Sequence, residues 1–299
     1  MTPDLIAVGL AVADHLWLYD EPMRGTFHRA ADYLAQGGGL AATAAVAMAR
    51  LGGRVELWTR VGDDTAGRFI LEQLDAEGVD TTQVQRCPDG RSPVCCVRVD
   101  RPQGERYFTF FPGRDLPPDT GGLDLGRVDE AKAVLVDGHW PEAQVPAARR
   151  ASERGIPVVA DLEPTTGVID DLMPWVDYPI YARELVQARG GRTSVEESLR
   201  AVAELGGRVP MVTLGERGCL WLEEGKLHRF PAFEVEVVDT TGCGDVFHGA
   251  FAFGLARGWR VAENVRFASA TAALKCRALG GRTGIPSYDE VIEFLHSRR

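Results

Sequence analysis

The sequence predicts an α/β fold: a mostly parallel sheet covered by helices, with a second, small β-sheet beside it. Two observations carry the prediction. From Ala131 to Leu214, apolar strand-like runs alternate with helical segments: Ala133–Val136, a helix from Glu142 to Arg154, Val158–Asp161, Tyr178–Ala182, a helix from Val195 to Leu205, and Val209–Leu214. This alternation calls for parallel strands joined by right-handed crossovers, with helices on both faces. Four other runs, His15–Tyr19, Phe27–Leu34, Val94–Val99 and Arg106–Phe111, read as exposed strands, the last two as a hairpin around Gly104-Glu105.

The remaining elements follow in order. Leu5–Leu10 is a buried-strand run ending in Gly9-Leu10-Ala11, with Asp14 just beyond it. Glu21-Pro22 and Gly25 punctuate the next stretch. Gln36-Gly37-Gly38-Gly39 leads into a helix of alanines, whose small residues suit close packing on a sheet. Arg54–Thr59 is a strand, and Gly62-Asp63-Asp64-Thr65 caps a helix reaching about Glu77. A hairpin, Gly218–Leu222 and Lys226–Phe230, follows the loop Thr213-Leu214-Gly215-Glu216-Arg217-Gly218. Ala262–Lys275 is another small-residue helix, and Val291–Leu295 closes the chain as a helix.

Composition limits the function. A length of 299 residues permits one large domain or two small ones, and 45% hydrophobic residues suffice for the core. No run approaches the ~20 apolar residues of a membrane span. The first residues lack a basic leader and include Asp4 and Asp14, so a signal peptide is not expected. A formal net charge of -10 argues against nucleic acid or an anionic membrane as partner. It also requires that a polyanionic ligand be captured locally. The six cysteines form no CxxC pair, and reduced thiols in the cytoplasm are the plain reading. A dinucleotide-dependent oxidoreductase would need GxGxxG after the first strand, and Gly9-Leu10-Ala11-Val12-Ala13 does not supply it.

One stretch organises the chemistry. The β-branched run Val235, Val237, Val238 reads as a strand ending in Asp239-Thr240-Thr241. Gly242-Cys243-Gly244 then opens a helix in which Phe247, Ala250, Phe251, Gly254 and Leu255 recur at helical spacing. A helix start has unpaired N–H groups and a positive dipole end, and small residues let a phosphate approach them. Asp245 lies in that first turn, where a carboxylate would repel phosphate; this points to a base beside the group being transferred. Read locally, the same residues also suit a plain turn with an acid complementing the helix dipole.

The string DTTGCGDVF resembles the C-terminal signature of the ribokinase-like (PfkB) sugar kinases, where Ala is more usual at the Cys243 position. Gly37 to Gly52 resembles the N-terminal signature of that family, and residues 213–218 its TLGxxG nucleotide loop. The resemblance spans essentially the whole chain. It implies a ribokinase-like three-layer α/β/α fold, one kinase domain over residues 1–299, and a lid built from strands at about 12–34 and 92–112. It further implies ATP and Mg²⁺, with Asp245 as catalytic base and the amides of Gly242, Cys243 and Gly244 as anion hole. Asp14, Gly38, Gly39, Arg106 and His139 become substrate contacts together with Asp245. Thr213, Gly215 and Gly218, with Gly242 and Gly244, become ATP contacts. Glu184 matches the acid that organises Mg²⁺ through water in the NxxE motif. Asp239, with Thr241 and carbonyls of the Gly280–Pro286 loop, matches a site that holds a monovalent cation, K⁺, in some members. Independently of the resemblance, Asp137, His139, Asp161 and Glu163 fall at the carboxyl ends of the expected parallel strands, where each is a loop cap or a substrate contact. Two positions depart from the pattern: Ala42 and Tyr181 stand where the family has Asn.

Within the family, Gly37 to Gly52, Val237 to Phe251 and Arg266 to Pro286 look most like the branch containing bacterial sulfofructose kinases. The positions that read the sulfonate there align with Thr26, Phe110 and His139, none a fixed cation. The nearby basic groups Arg24, His28, Arg29 and Arg106 read as solvated lid charges. The expected reaction is therefore phosphoryl transfer from ATP to a primary hydroxyl of a fructose-like or other small sugar. The alternatives are a nucleoside kinase, a sulfofructose kinase, or a silent sugar-binding protein on the same fold. A homodimer through the lid is a further expectation.

Overall fold

The computed structural model describes residues 2–22, 26–102 and 105–298. The chain runs β1 (Leu5–Val8), β2 (Val12–Tyr19), β3 (Asp32–Gly38), α1 (Leu40–Arg50), β4 (Val55–Trp58), β5 (Arg60–Gly62), α2 (Thr65–Ala76), β6 (Gln85–Cys87), β7 (Val94–Asp100) and β8 (Glu105–Phe111). It continues with β9 (Ala133–Val136), α3 (Pro141–Glu153), β10 (Val158–Leu162), α4 (Ile169–Leu172), β11 (Tyr178–Ala182), α5 (Arg183–Gly190) and α6 (Val195–Ala203). Last come β12 (Met211–Thr213), β13 (Cys219–Glu223), β14 (Lys226–Phe230), α7 (Cys243–Ala256), α8 (Val261–Lys275) and α9 (Tyr288–Ser297).

Eight strands form the large sheet in the order β14-β13-β12-β11-β10-β9-β1-β4. From β4 to β12 all neighbours pair in parallel, and β13 and β14 extend the sheet antiparallel. Successive strand residues point to opposite faces, and both faces are covered. Leu5, Ala7, Leu57 and Leu135 join one core with α1, α7 and α8; Ile6, Val8, Trp58, Val134 and Val136 join the other with α3 and α6. Burial on both sides is why β1 and β9 read as unbroken apolar runs. The alanines of α1 have a similar cause. Helices α1 and α7 pack so closely that a Cβ on Gly249 would sit 2.5 Å from the Ala44 carbonyl oxygen. Gly249→Ala would overpack that contact, at a cost of about 1–3 kcal/mol.

The small sheet has the order β3-β2-β7-β8, with β2 and β7 parallel and the outer pairs antiparallel. Val12, Leu16, Leu18, Cys95, Val97 and Val99 form its core, while β8 leaves Phe108, Phe110 and Phe111 exposed.

Several elements differ from expectation. The second strand of the small sheet is not Phe27–Leu34 but β3, which runs through the glycines to Gly38; Phe27 is 88% exposed. Pairing Val12 with Gly38 fixes that register and brings the glycine run against β2. The run Val235–Val238 is not a strand: Val237 and Val238 are more than half exposed. Its ladder is replaced by the N–H groups of Val238 and Asp239 donating to the Cys276 carbonyl at the end of α8. Helices α4 and α5 were not expected, since their short polar sequences carry little periodicity. Arg24, Gly25 and Gly104 lie outside the described residues.

Candidate active site

Because β1, β4 and β9–β12 are parallel, their carboxyl ends share one edge, where ligands bind on such sheets. Asp14 lies on β2 just past β1; Asp137 and His139 follow β9; Asp161 and Glu163 close β10; Glu184 opens α5 after β11; Thr213 ends β12. Helix α7 packs against β9 and β10 and brings its first turn, with Asp245, to that edge.

The acids there are crowded and poorly solvated. Burial first, then the charges of Asp161 and Glu163, hold the Asp245 carboxyl well above the ordinary carboxylate range, with His248 opposing. Burial raises Glu163 to about 7, with Asp161 adding to it. Asp161 is fully buried and likewise raised, by burial and then by Asp137. His248, one turn beyond Asp245, has Nδ1 2.8 Å from Asp161 Oδ2. The contact is off the line a hydrogen bond requires, so neither atom counts as satisfied. Burial lowers His248 to about 4, leaving it neutral at pH 7. The three carboxyls therefore have raised proton affinity, while the His248 ring stays neutral.

Asp14 is also buried, and burial raises its carboxyl to about 7 against the pull of Arg282. A Cβ on Gly38 would lie 2.0 Å from Asp14 Oδ2, so a side chain at 38 would displace the carboxylate. Gly39 has φ +90°, and a Cβ there would meet the Leu10 carbonyl oxygen at 2.5 Å. Arg282 braces this corner from the other side, with Nη2 donating to the Gly38 carbonyl at 2.9 Å. His139 carries a buried ring Nε2 without a protein partner among the described residues.

Asp137 differs from its neighbours. Its Oδ2 accepts from the Leu10 and Ala41 amides at 2.7 and 3.1 Å, and its Oδ1 from the His139 amide and Gln144 Nε2 at 3.0 and 2.7 Å. With four donors it is saturated. The expectation that Asp137 is a substrate contact is corrected: it staples the β1 and β9 ends to the start of α1.

The turn before α7 is built around Asp239. Its Oδ1 accepts from the Thr241 amide and hydroxyl at 2.9 and 2.8 Å, its Oδ2 from the Gly280 amide at 2.8 Å, and its carbonyl from the fully buried Lys275 Nζ at 3.0 Å. Every oxygen has a protein donor, and an ammonium already neutralises the site. These residues do not fit a monovalent cation. Gly242 then adopts the left-handed conformation, φ 74°. Among the described residues, none accepts a hydrogen bond from the amides of Gly242, Gly244 or Asp245. The Cys243 amide is a correction: it donates to the Thr240 carbonyl at 3.2 Å, closing the turn, and does not join the free amides. Arg106 is another. It reaches from β8 to this turn, with Nη1 3.4 Å from Thr241 Oγ1 and 3.9 Å from Asp239 Oδ1.

Gly215 and Gly218 have positive φ in the short turn after β12. Gly218 is also held by packing, since a Cβ there would lie 2.0 Å from the Phe230 carbonyl oxygen. Glu184 is exposed in the first turn of α5. Tyr181 is fully buried in the apolar core, its hydroxyl 3.7 Å from Met173 Sδ, and offers no ligand. Of these two positions, only Glu184 carries an exposed carboxylate. A cavity of about 540 Å³, lined by Gln85–Asp89 and Asp115–Pro118, lies away from these acids. A cleft of about 230 Å³ runs between Arg106 and residues 237–240, beside the turn.

The pfkB family carbohydrate kinase model matches residues 2–287. The chain belongs to this family. It is 33% identical to the aminoimidazole riboside kinase of Salmonella typhimurium, over 89% of each chain. It is 29% identical to the ribokinase of Bacillus subtilis, covering 86% of this chain and 87% of that one. The structure of Arabidopsis thaliana ribokinase complexed with ribose and ATP superposes with a TM-score of 0.86 at 26% identity, covering 99% of each chain. The three-layer kinase fold and the phosphotransferase class expected from the motifs are thereby confirmed. The kinase acts on a sugar or a nucleoside.

Sequence reading of the kinase missed Arg282, Lys275, Gln144 and His248, all buried polar groups that organise the site. Lys275 and His248 sat inside helical apolar patterns, and a charged or polar residue on such a face was the available signal.

Proposed function

We propose that the chain transfers the γ-phosphoryl group of ATP to a primary hydroxyl of a small neutral sugar, fructose-like or ribose-like. The observation that carries this is Asp245, placed among unpaired first-turn amides and within the field of Asp161 and Glu163. In this reading Asp245 receives the hydroxyl proton late, as the new O–P bond forms. A loose transition state leaves positioning and charge stabilisation as the main work. The amides of Gly242, Gly244 and Asp245 take up developing phosphoryl charge. Asp14 and His139 hold sugar hydroxyls, Gly38 and Gly39 let the ring approach the backbone, and Thr213, Gly215 and Gly218 border the nucleotide. Arg106 serves the phosphate side. Mg²⁺, when bound, would neutralise the ATP phosphates, with Glu184 holding a water of its outer shell. The small sheet closes as a lid on a single kinase unit and excludes water. Pairing of two copies through its exposed aromatics, and a cytoplasmic location, belong to the same reading.

A riboside acceptor is the second reading, favoured by the similarity to an aminoimidazole riboside kinase. Sulfofructose is the third. It needs cations or strong donors at the tail, and Arg106 is engaged with Thr241 and Asp239 instead. The test is kcat/KM across fructose, ribose, a sugar acid, fructose 6-phosphate, sulfofructose, inosine and aminoimidazole riboside. The highest value is expected for a neutral free sugar. A preference of ~10³ for sulfofructose, about 4 kcal/mol, would overturn the reading of the lid, and a similar preference for a riboside would replace it with the second reading.

A further inference from the structure

Cys243 opens α7 and Cys276 follows the last residue of α8, 33 positions later, yet their Sγ atoms lie 2.6 Å apart. A disulfide bond measures about 2.05 Å, so only a small approach separates this contact from a covalent link. Both side chains, like that of Cys96, keep some solvent exposure, whereas Cys87, Cys95 and Cys219 are buried. The pair also closes a ring around the functional turn. The Cys276 carbonyl accepts from the Val238 and Asp239 amides at 2.8 and 3.1 Å, so its backbone anchors one end of the Asp239–Cys243 segment while its sulfur touches the other. The contact with Cys243, then the charges of Lys275 and Arg106, favour the Cys276 thiolate against burial and Asp239.

We propose that Cys243 and Cys276 are a modification site at which a hydroperoxide forms a reversible intramolecular disulfide that slows phosphoryl transfer. The Cys276 thiolate attacks a peroxide oxygen, the O–O bond breaks, and Cys276 becomes a sulfenic acid. The Cys243 sulfur then attacks that sulfur, the S–O bond breaks, and water leaves. Overall two thiols and one hydrogen peroxide give one disulfide and two waters, the two electrons passing from sulfur to the peroxide. Drawing Cys243 toward α8 moves the turn that holds the free amides of Gly242 and Gly244. A misplacement of about 1 Å can cost on the order of 10²-fold in rate, because catalysis depends on positioning.

The effect on turnover rests on the kinase reading; bond formation does not. The full chain is treated with hydrogen peroxide, alkylated, digested and mapped by mass spectrometry. A cross-linked peptide pair containing Cys243 and Cys276, 2 Da lighter than the sum of the two free peptides, is expected and should vanish with dithiothreitol. On the sugar the enzyme accepts best, kcat should fall at least fivefold and recover on reduction. Cys276→Ser should keep its kcat through the same treatment. Three results would overturn the proposal: both cysteines alkylated after peroxide, the cross-link formed with kcat unchanged, or Cys276→Ser inactivated as fast as wild type.

Discussion

Two aspartates a few residues apart, Asp239 and Asp245, have opposite electrostatics. At Asp239 burial pushes the carboxyl up, but the Thr241 amide, the Lys275 charge and the Gly280 amide outweigh it and leave the group below the ordinary range. At Asp245 burial is joined by the charges of Asp161 and Glu163, and the carboxyl stays well above that range. Burial raises both carboxyls; the supply of donors separates them. A saturated carboxylate makes scaffold, and an unsaturated one retains affinity for a proton. The same contrast separates Asp137, with its four donors, from Asp161, which has none in line.

The comparison can be broken at several points. Asp245→Asn should lower kcat by ~10²–10⁴, the usual worth of a positioned base, with KM for ATP and sugar nearly unchanged. A variant above half of wild-type turnover would remove Asp245 from the chemistry. Asp239→Ala should act on stability first. It leaves the Thr241 and Gly280 amides without their acceptor, and about 3 kcal/mol lost in urea unfolding is expected. A loss under about 0.5 kcal/mol would show that the turn does not depend on those bonds.

Asp14→Asn should have the opposite sign. A folded-state pKa of about 7 against an ordinary 3.8 means that the folded state holds this proton more tightly than the unfolded chain. The stability it contributes is complete below about pH 4 and is lost as pH rises through 7. Asp14→Asn should therefore be more stable than wild type at pH 8, by on the order of 2 kcal/mol. The gain should shrink to nothing near pH 4, and sugar affinity should suffer. Unfolding midpoints at pH 4, 6 and 8 decide it; a variant less stable at pH 8 means that donors reach Asp14 as they reach Asp239. The smallest effect is expected at Cys243. Its amide is turned to Thr240, so Cys243→Ala in dithiothreitol should keep more than half of wild-type kcat. A loss as large as that of Asp245→Asn would make the thiol part of the chemistry.

Much of the fold was legible because its signals are local. Ala133–Val136 and Tyr178–Ala182 coincide with β9 and β11, and the Asp64 cap was readable from its sequence, its side chain accepting from the Gly67 amide. The Val235–Val238 run was misleading for the converse reason. A β-branched alternation needs a neighbouring strand, and here the carbonyl at the end of α8 takes its place. The glycines before α1 read only as the lead into that helix, yet Gly37 and Gly38 end β3, where Arg282 and Asp14 occupy the space that side chains would fill.

By itself the sequence determined the order of elements, the Gly-rich opening of α7 and the position of Asp245 within it. These depend on residues within a turn or two of one another, where periodicity and backbone sterics act. Only the tertiary structure decided which polar groups are used up. Asp137 and Asp161 both end an apolar parallel strand, and nothing beside either one in the chain tells them apart. Gln144, Leu10 and Ala41 saturate the first, while the second faces only a misaligned His248. Arg106 meets Thr241, and Cys243 meets Cys276, across separations that no local pattern encodes. The hydrogen-bond capacity of a side chain belongs to its residue type, but what fills that capacity is delivered by packing from elsewhere in the chain.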